Sequence, residues 1–300
     1  MSTSPSANST EGFRLPDATH LSRVHLRTAD LTGIVAFYEK VMGLQVVKRS
    51  ETQASFSASS STPEILVISQ DENALPRGQS TIGLYHLAIL YPSREELGNA
   101  VARVALARYP INGDSDHSLG ESVYLNDPDG NGLELYYDRP GAKWPLRNGS
   151  IDGVSKPMDF NDLIDKAVRR PIPENAPPET QIGHINLHVA DLQESERFFD
   201  EFLGLSVMAR IPWRITFLAA GGYHHHVAVN TLAGKERLPE NSVGLISYRL
   251  NVPNSDVLAA LKTRAELYGY QAEYLGDILK IRDPNGHWLE LKSNSSEIQA

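Results

Sequence analysis

Cysteine is absent from the chain of 300 residues. That single absence excludes disulfides, thiolate metal ligands and a cysteine nucleophile together, so any metal must be held by His, Glu or Asp. A basic cluster is missing as well. The formal charge is -9 at pH 7, and binding that rests on neutralising phosphates is not expected, which argues against a nucleic-acid partner. No apolar run approaches the roughly 18–20 residues of a membrane span, so no membrane partner is expected either. The opening MSTSPSANSTEGF lacks the basic segment and apolar core of a secretory signal. Residues 1–18 read as a disordered tail, and a cytoplasmic location is the expectation. What remains is globular composition, 41% hydrophobic and 22% charged, over a length that suits two domains, each with its own core.

The chain is written twice. Residues 24–44, VHLRTADLTGIVAFYEKVMGL, return at 185–205 as INLHVADLQESERFFDEFLGL. Asp30 is followed by Phe37 at seven residues and by Gly43-Leu44 at thirteen; Asp191 is followed by Phe198 and Gly204-Leu205 at the same offsets. A second phrase closes each copy: Asp127-Pro-Asp-Gly-Asn-Gly-Leu-Glu134 and Asp283-Pro-Asn-Gly-His-Trp-Leu-Glu290. Self-similarity held at two separate places points to two related domains.

Within each copy the pattern predicts β-α-β-β-β units. Leu21–Thr28 alternates as a strand, and Asp30 can cap the helix that follows. Ile34, Phe37, Tyr38, Val41 and Met42 have helical spacing, and Gly43 ends the helix where left-handed backbone is easiest. Gln45–Lys48, Gln53–Ser57 and Ile65–Ser69 are candidate strands. A second unit starts at Gly83, with Ser93 capping a helix to Leu106 and strands at Val123–Leu125 and Leu133–Tyr137 around the DPDG turn. The third unit starts at Ile182 and the fourth at Val243, with a helix near Ser255–Leu267. The prolines of PIPENAPPE mark a linker that holds a short helix, Phe160–Arg169. The expected fold is α+β: four βαβββ units in two pairs, with domains at 19–140 and 179–294 and a linker at 141–178.

These phrases, with Gly83-Leu-Tyr-His86, Ile182-Gly-His-Ile and Gly221-Gly-Tyr-His-His-His226, resemble the vicinal oxygen chelate superfamily of glyoxalases and extradiol dioxygenases. Within it the chain is most similar to two-domain bacterial catechol 2,3-dioxygenases. The resemblance runs from about Leu21 to Leu291, less the linker. It implies that each pair of units curls into an open barrel with four metal-facing slots. On the C-terminal copy these fall at His184, His226, Ser247 and Glu290. His184, His226 and Glu290 would then form a 2-His-1-carboxylate triad, which leaves positions open on non-haem Fe(II). His224 and Tyr223 are candidates for proton handling. Larger ring-cleaving relatives carry a third histidine ligand where Ser247 stands; on that pattern His226 would be the acid–base group and not a ligand. On the N-terminal copy the slots fall at Arg23, Glu64, His86 and Glu134. A guanidinium cannot ligate a metal, so Arg23 is expected to pair with Glu64 or Glu134 as a remnant. The rival is a metal site from Glu64, His86 and Glu134, or one using His25, which shares Arg23's face.

Plainer readings stand beside these. Lone strand histidines such as His25, His86 and His188 are ordinarily satisfied core residues. His224–His226 would be an exposed edge strand, and His117 a loop residue. Glu134 and Glu290, however, are flanked by leucines that face the other way, so each carboxylate should point inward and needs a cation or a donor. The expected activity is extradiol cleavage of an aromatic diol by dioxygen on Fe(II), with Mn(II), Zn(II) or Ni(II) as alternatives. The competing expectations are a glyoxalase-like lyase or isomerase on a redox-inert ion, and a binding protein that kept only the fold. A homo-oligomer through exposed sheet edges is possible in such folds.

Overall fold

The computed structural model describes residues 12–78, 80–147, 150–151, 155–167 and 171–294. The first unit is β1 (His20–Thr28), α1 (Leu31–Lys40), β2 (Gln45–Arg49), β3 (Gln53–Ser57) and β4 (Leu66–Gln70). The second is β5 (Gly83–Tyr91), α2 (Arg94–Leu106), β6 (Gly113–Asp116), β7 (Gly120–Asn126) and β8 (Gly132–Asp138). A small hairpin, β9 (Leu146–Arg147) with β10 (Ser150–Ile151), and α3 (Phe160–Ala167) fill the linker. The third unit is β11 (Gln181–His188), α4 (Leu192–Glu196) running on as a π turn to Phe202, β12 (Ser206–Ile211), β13 (Ile215–Ala219) and β14 (Val227–Asn230). The fourth is β15 (Gly244–Val252), α5 (Ser255–Tyr268), β16 (Ala272–Leu275), β17 (Ile278–Arg282) and β18 (Trp288–Ser293).

The capping predictions hold at the atomic level. Asp30 accepts from the Gly33 amide and Ser93 from that of Glu96, satisfying amides that have no partner inside the helix; Asp191, the counterpart of Asp30 in the repeat, does the same for Glu194. Among the short strands that the sequence did not signal, β6 is polar, GDSD, and β16 is only four residues, AEYL, both too short or too polar to show alternation.

The pairing of the units differs from the sequence expectation. The repeat suggested that each half closes on itself. Instead β1 pairs antiparallel with β15, and β5 with β11. The outer units, first and fourth, share one eight-stranded sheet in the order β16-β17-β18-β15-β1-β4-β3-β2. The inner units, second and third, share the other, β12-β13-β14-β11-β5-β8-β7-β6. Both sheets are curled into half-barrels. The reason is local: alternation and turn chemistry specify a unit, but the free edge of its first strand matches any other first strand equally well.

The ends of the chain were also read too simply. Of the stretch expected to be a tail, residues 1–11 lie outside the described residues. Residues 12–18 are placed: Leu15 is buried, its amide donates to the Gly204 carbonyl, and Arg14 pairs with Asp200 at 2.6 Å. In α3, residues 168–170 of the expected helix lie outside the described residues. No helix among the described residues is long and apolar enough to cross a membrane.

Candidate metal centre

Glu134 lies on β8 between Leu133 and Leu135, which are fully buried. Strand alternation therefore turns its carboxylate to the other face, inside the inner sheet. Its two oxygens have separate partners. Oε1 accepts from the Ser122 hydroxyl at 2.5 Å and the Tyr124 hydroxyl at 3.1 Å. Oε2 lies 3.0 Å from His86 Nε2 on β5 and 3.0 Å from His184 Nε2 on β11. β8, β5 and β11 are consecutive in the sheet, so three neighbouring strands each contribute one donor.

The donor set fits a metal ion. Imidazole and carboxylate donors about 2.1 Å from an ion, at right angles, stand about 3.0 Å apart. That is the separation of Glu134 Oε2 from both imidazoles. His86 Nε2 makes no hydrogen bond despite its burial, and neither does His184 Nδ1. His86 Nε2 thus has only the Glu134 oxygen beside it, outside hydrogen-bond geometry, and His184 Nδ1 has no hydrogen-bond partner; such under-satisfied buried nitrogens call for something else to bind. Ionisation also suits: burial pushes the His184 imidazole down to about 4, so it is neutral and can donate a lone pair. Burial opposes the charge on Glu134, but the His184 and His86 imidazoles hold its carboxyl well below the usual range.

Around this cluster runs a polar chain. Period two from Glu134 brings Tyr136 and Asp138 to the same face of β8. Asp138 Oδ1 lies 3.0 Å from His224 Nε2, and Asp138 Oδ2 accepts from the Tyr223 hydroxyl at 2.6 Å. His224 Nδ1 lies 2.7 Å from His225 Nδ1, and the His225 ring stands 4.1 Å from that of His184. The Tyr136 and Tyr223 hydroxyls are 2.9 Å apart. Tyr136 also explains Gly183: a Cβ there would sit 1.6 Å from the Tyr136 hydroxyl, so the residue before His184 must be glycine. Trp144, from the linker, closes one side with its ring 5.3 Å from His224 and 5.7 Å from Tyr223.

The predicted residues divide. His184 is in the cluster, but His226 and Glu290 are not with it. Residues 221–226 are a loop that precedes β14, so the alternation expected across His224–His226 does not apply. His224 and His225 are brought to His184. His226 turns elsewhere: its Nδ1 accepts from the Ala220 amide, and it lines a separate cavity with His20 and Asp17. Burial pushes the His226 imidazole down to about 3. Glu290 belongs to the outer sheet, where Arg23 Nη2 at 2.8 Å and Arg249 Nη2 at 2.6 Å hold it, and Ser247 donates at 3.1 Å. The expected partnership of Arg23 with Glu64 is present at 2.5 Å; its other expected partner, Glu134, lies in the inner sheet. His224 and Tyr223, the candidates for proton handling, stand beside the cluster, His224 with its ring 5.8 Å from that of His184. The grouping of Glu64 with His86 and Glu134 is not found: Glu64 pairs with Arg23 of the outer sheet, and β11 of the third unit supplies His184 in its place. Asp138 was overlooked although period two from Glu134 signals it. Trp144 carried no signal in its own segment. His117 is more than a loop residue: its Nε2 lies 2.7 Å from the Tyr124 hydroxyl that supports Glu134.

Two curled sheets of paired βαβββ units, one of them gathering two histidines and a carboxylate, define a class of metal-site enzyme folds. The family model for the Glyoxalase/Bleomycin resistance protein/Dioxygenase superfamily matches residues 20–135 and 181–291, and the chain belongs to that superfamily. It is 36% identical over 274 residues to the catechol-2,3-dioxygenase of Bacillus subtilis (strain 168), covering 89% of this chain and 94% of the relative, and is an extradiol-dioxygenase-like enzyme. In fold it is similar to a putative dioxygenase from Bacillus subtilis, with a TM-score of 0.67 at 12% identity, covering 94% of this chain and 86% of that one. It is also similar to glyoxalase I from Zea mays, with a TM-score of 0.58 at 14% identity, covering 94% and 95%.

Proposed function

We propose that the protein is a metal-dependent extradiol dioxygenase that opens a catechol-type ring beside its diol, adding both atoms of dioxygen to the product. The observation that carries this reading is the convergence of His86, Glu134 and His184 in the inner sheet. The 36% identity to a catechol-2,3-dioxygenase along almost the whole of both chains supports it. His86, Glu134 and His184 would hold the ion, and Fe(II) suits a 2-His-1-carboxylate set. When bound there, such an ion would supply the redox chemistry and the open positions for the reactants.

The chain's own residues have three tasks. Ser122 and Tyr124 fasten Oε1 of Glu134 and so present Oε2, the orienting role of groups behind a ligand. Asp138 sets the tautomers. As an acceptor at His224 Nε2 it places the His224 proton there. His224 Nδ1 must then accept, so His225 Nδ1 carries its proton and donates. His225 Nε2 is left bare, and burial keeps that imidazole neutral, its pKa well below the usual value. It is the atom that takes a proton from a substrate hydroxyl and returns it after ring opening. Trp144 and Tyr223 shield the cluster on the linker side, which limits water beside these groups.

The test is anaerobic loading with Fe(II), followed by oxygen uptake with catechol. One equivalent of dioxygen consumed per ring opened is expected. No uptake by stoichiometrically loaded protein across a panel of substituted catechols, together with isomerase activity on a thiol adduct, would overturn the reading in favour of a glyoxalase-like reaction.

A further inference from the structure

The outer sheet carries the counterpart of the metal cup, with a different charge plan. Deep inside, Arg23 and Arg249 meet Glu64 and Glu290, two cations against two anions. Toward the mouth the balance shifts. A cavity of about 320 Å³ is lined there by Arg27, Arg77, Arg237, Arg282, His287 and Trp288.

What holds these guanidiniums is almost entirely neutral. Arg27 donates to the Glu240 and Ser242 carbonyls, and Arg77 to Asn131 Oδ1 and the Leu84 carbonyl. Arg237 donates to the Asn285 and Pro284 carbonyls, each at 2.8 Å. Carbonyl partners aim a guanidinium without cancelling its charge. Arg282 alone has a carboxylate, Glu240 at 3.2 Å, and that side chain is 92% exposed, so the pair is weak. Glu240 is the one carboxylate in the lining. Asp283 and Asp127 lie behind it: Asp283 accepts from the Tyr248 hydroxyl and stands 3.5 Å from His287 Nδ1, and Asp127 accepts from the Tyr38 hydroxyl while its charge is felt by Arg77, so both offset the lining in part from behind. Lys280 Nζ and the Arg282 guanidinium stand 4.7 and 5.2 Å from the Trp288 ring centre. All this is gathered in a chain whose formal charge is -9. The field reaches inward: burial and then Arg23 push the His25 imidazole down to about 4, with Arg27 and Lys280 acting in the same direction.

We propose that this mouth of the outer cup binds a small oxyanion of two or more negative charges, a phosphate or a short dicarboxylate. Forked donors match the oxygens of either group, and orientation by backbone carbonyls means little reorganisation is needed on binding. The site is separate from the inner cup and does not depend on what that cup catalyses.

Titration calorimetry of the full chain with inorganic phosphate and with succinate, at ionic strength held constant with sodium chloride, tests it. Saturable binding of one equivalent of either anion is expected, and the anion that binds identifies the oxyanion type. Arg282→Gln gives up the exposed Glu240 and a contact with the half-buried Trp288 ring, neither in the core, and should fold normally; Arg237→Gln provides a second probe. Each should weaken binding about 10-fold or more, the loss of a charge-assisted hydrogen bond. Glu134→Gln in the inner cup should leave binding unchanged. Neither anion binding above chloride, both arginine variants binding as the parent, or loss of binding with Glu134→Gln would each overturn the proposal.

Discussion

Glu134 and His184 are separated by 50 positions in the chain and 3.0 Å in space. The contact exists because β5 joins its own unit's β8 to β11 of the next unit. The outer sheet repeats the arrangement with both imidazoles replaced, and Ser247 stands where the inner sheet has His86. Arg23 takes the place of His184, and Arg23 Nη2 lies 2.8 Å from Glu290. One cup thus offers neutral nitrogens to a carboxylate, and the other closes a carboxylate with guanidiniums.

Metal content should follow the inner cup alone. Glu134→Gln, His86→Ala and His184→Ala are each expected to drop Fe(II) from about one equivalent toward zero by elemental analysis. His226→Ala and Glu290→Gln should retain it. Loss of metal in His226→Ala with retention in His86→Ala would reverse the assignment.

Asp138→Asn should preserve metal content but cost about 10²–10⁴ in turnover, the scale of general-base catalysis. An amide can donate to His224 Nε2, which permits the opposite tautomer and removes the bare nitrogen from His225. Oxygen uptake at saturating catechol measures this. Turnover within a factor of three of the parent would remove Asp138 from the proton path.

Glu290→Ala should destabilise the fold without touching the metal. It strands Arg249 in a partly enclosed cup and leaves Arg23 with Glu64 alone, and breaking one side of a buried ion pair costs about 3 kcal/mol. The urea midpoint should fall with an unchanged slope. An unaltered midpoint would mean that water already compensates those guanidiniums.

Much of this was legible in the residues. The four units, their helix caps and the inward aim of Glu134 and Glu290 follow from period, turn and capping chemistry, all local. Of the eight slots that the resemblance implied, His86, Glu134 and His184 meet in the inner cup and Arg23, Glu64, Ser247 and Glu290 in the outer one, while His226 turns away. The grouping was misread because it depends on which first strands share an edge, and β1 gives no local preference for β5 over β15. His226 was misjudged for another reason. The alternation used to choose it presumes extended backbone, and Gly221-Gly222, both at positive φ, turn the chain just before the histidines. Strand geometry begins only at Val227.

The outer cup should also set the acid limb of stability through His25. Its Nε2 lies 2.8 Å from the Ser69 hydroxyl, and burial, reinforced by Arg23, lowers its pKa to about 4. An unfolded histidine titrates near 6.5. Between about pH 6.5 and 4 the unfolded chain therefore takes up a proton that the folded chain refuses. The neutral imidazole's contribution is fully present above 6.5 and is lost as pH falls through that window. The whole effect is on the order of 2 kcal/mol after allowance for partial exposure. His25→Gln keeps a polar group beside Ser69 and has no proton to gain. Urea unfolding at pH 7 and pH 4.5 should show the variant losing less stability than the parent over that interval. His184 and His226 titrate in both proteins, so the parent-minus-variant difference isolates His25. Parallel pH profiles would show that its folded and unfolded pKa values coincide.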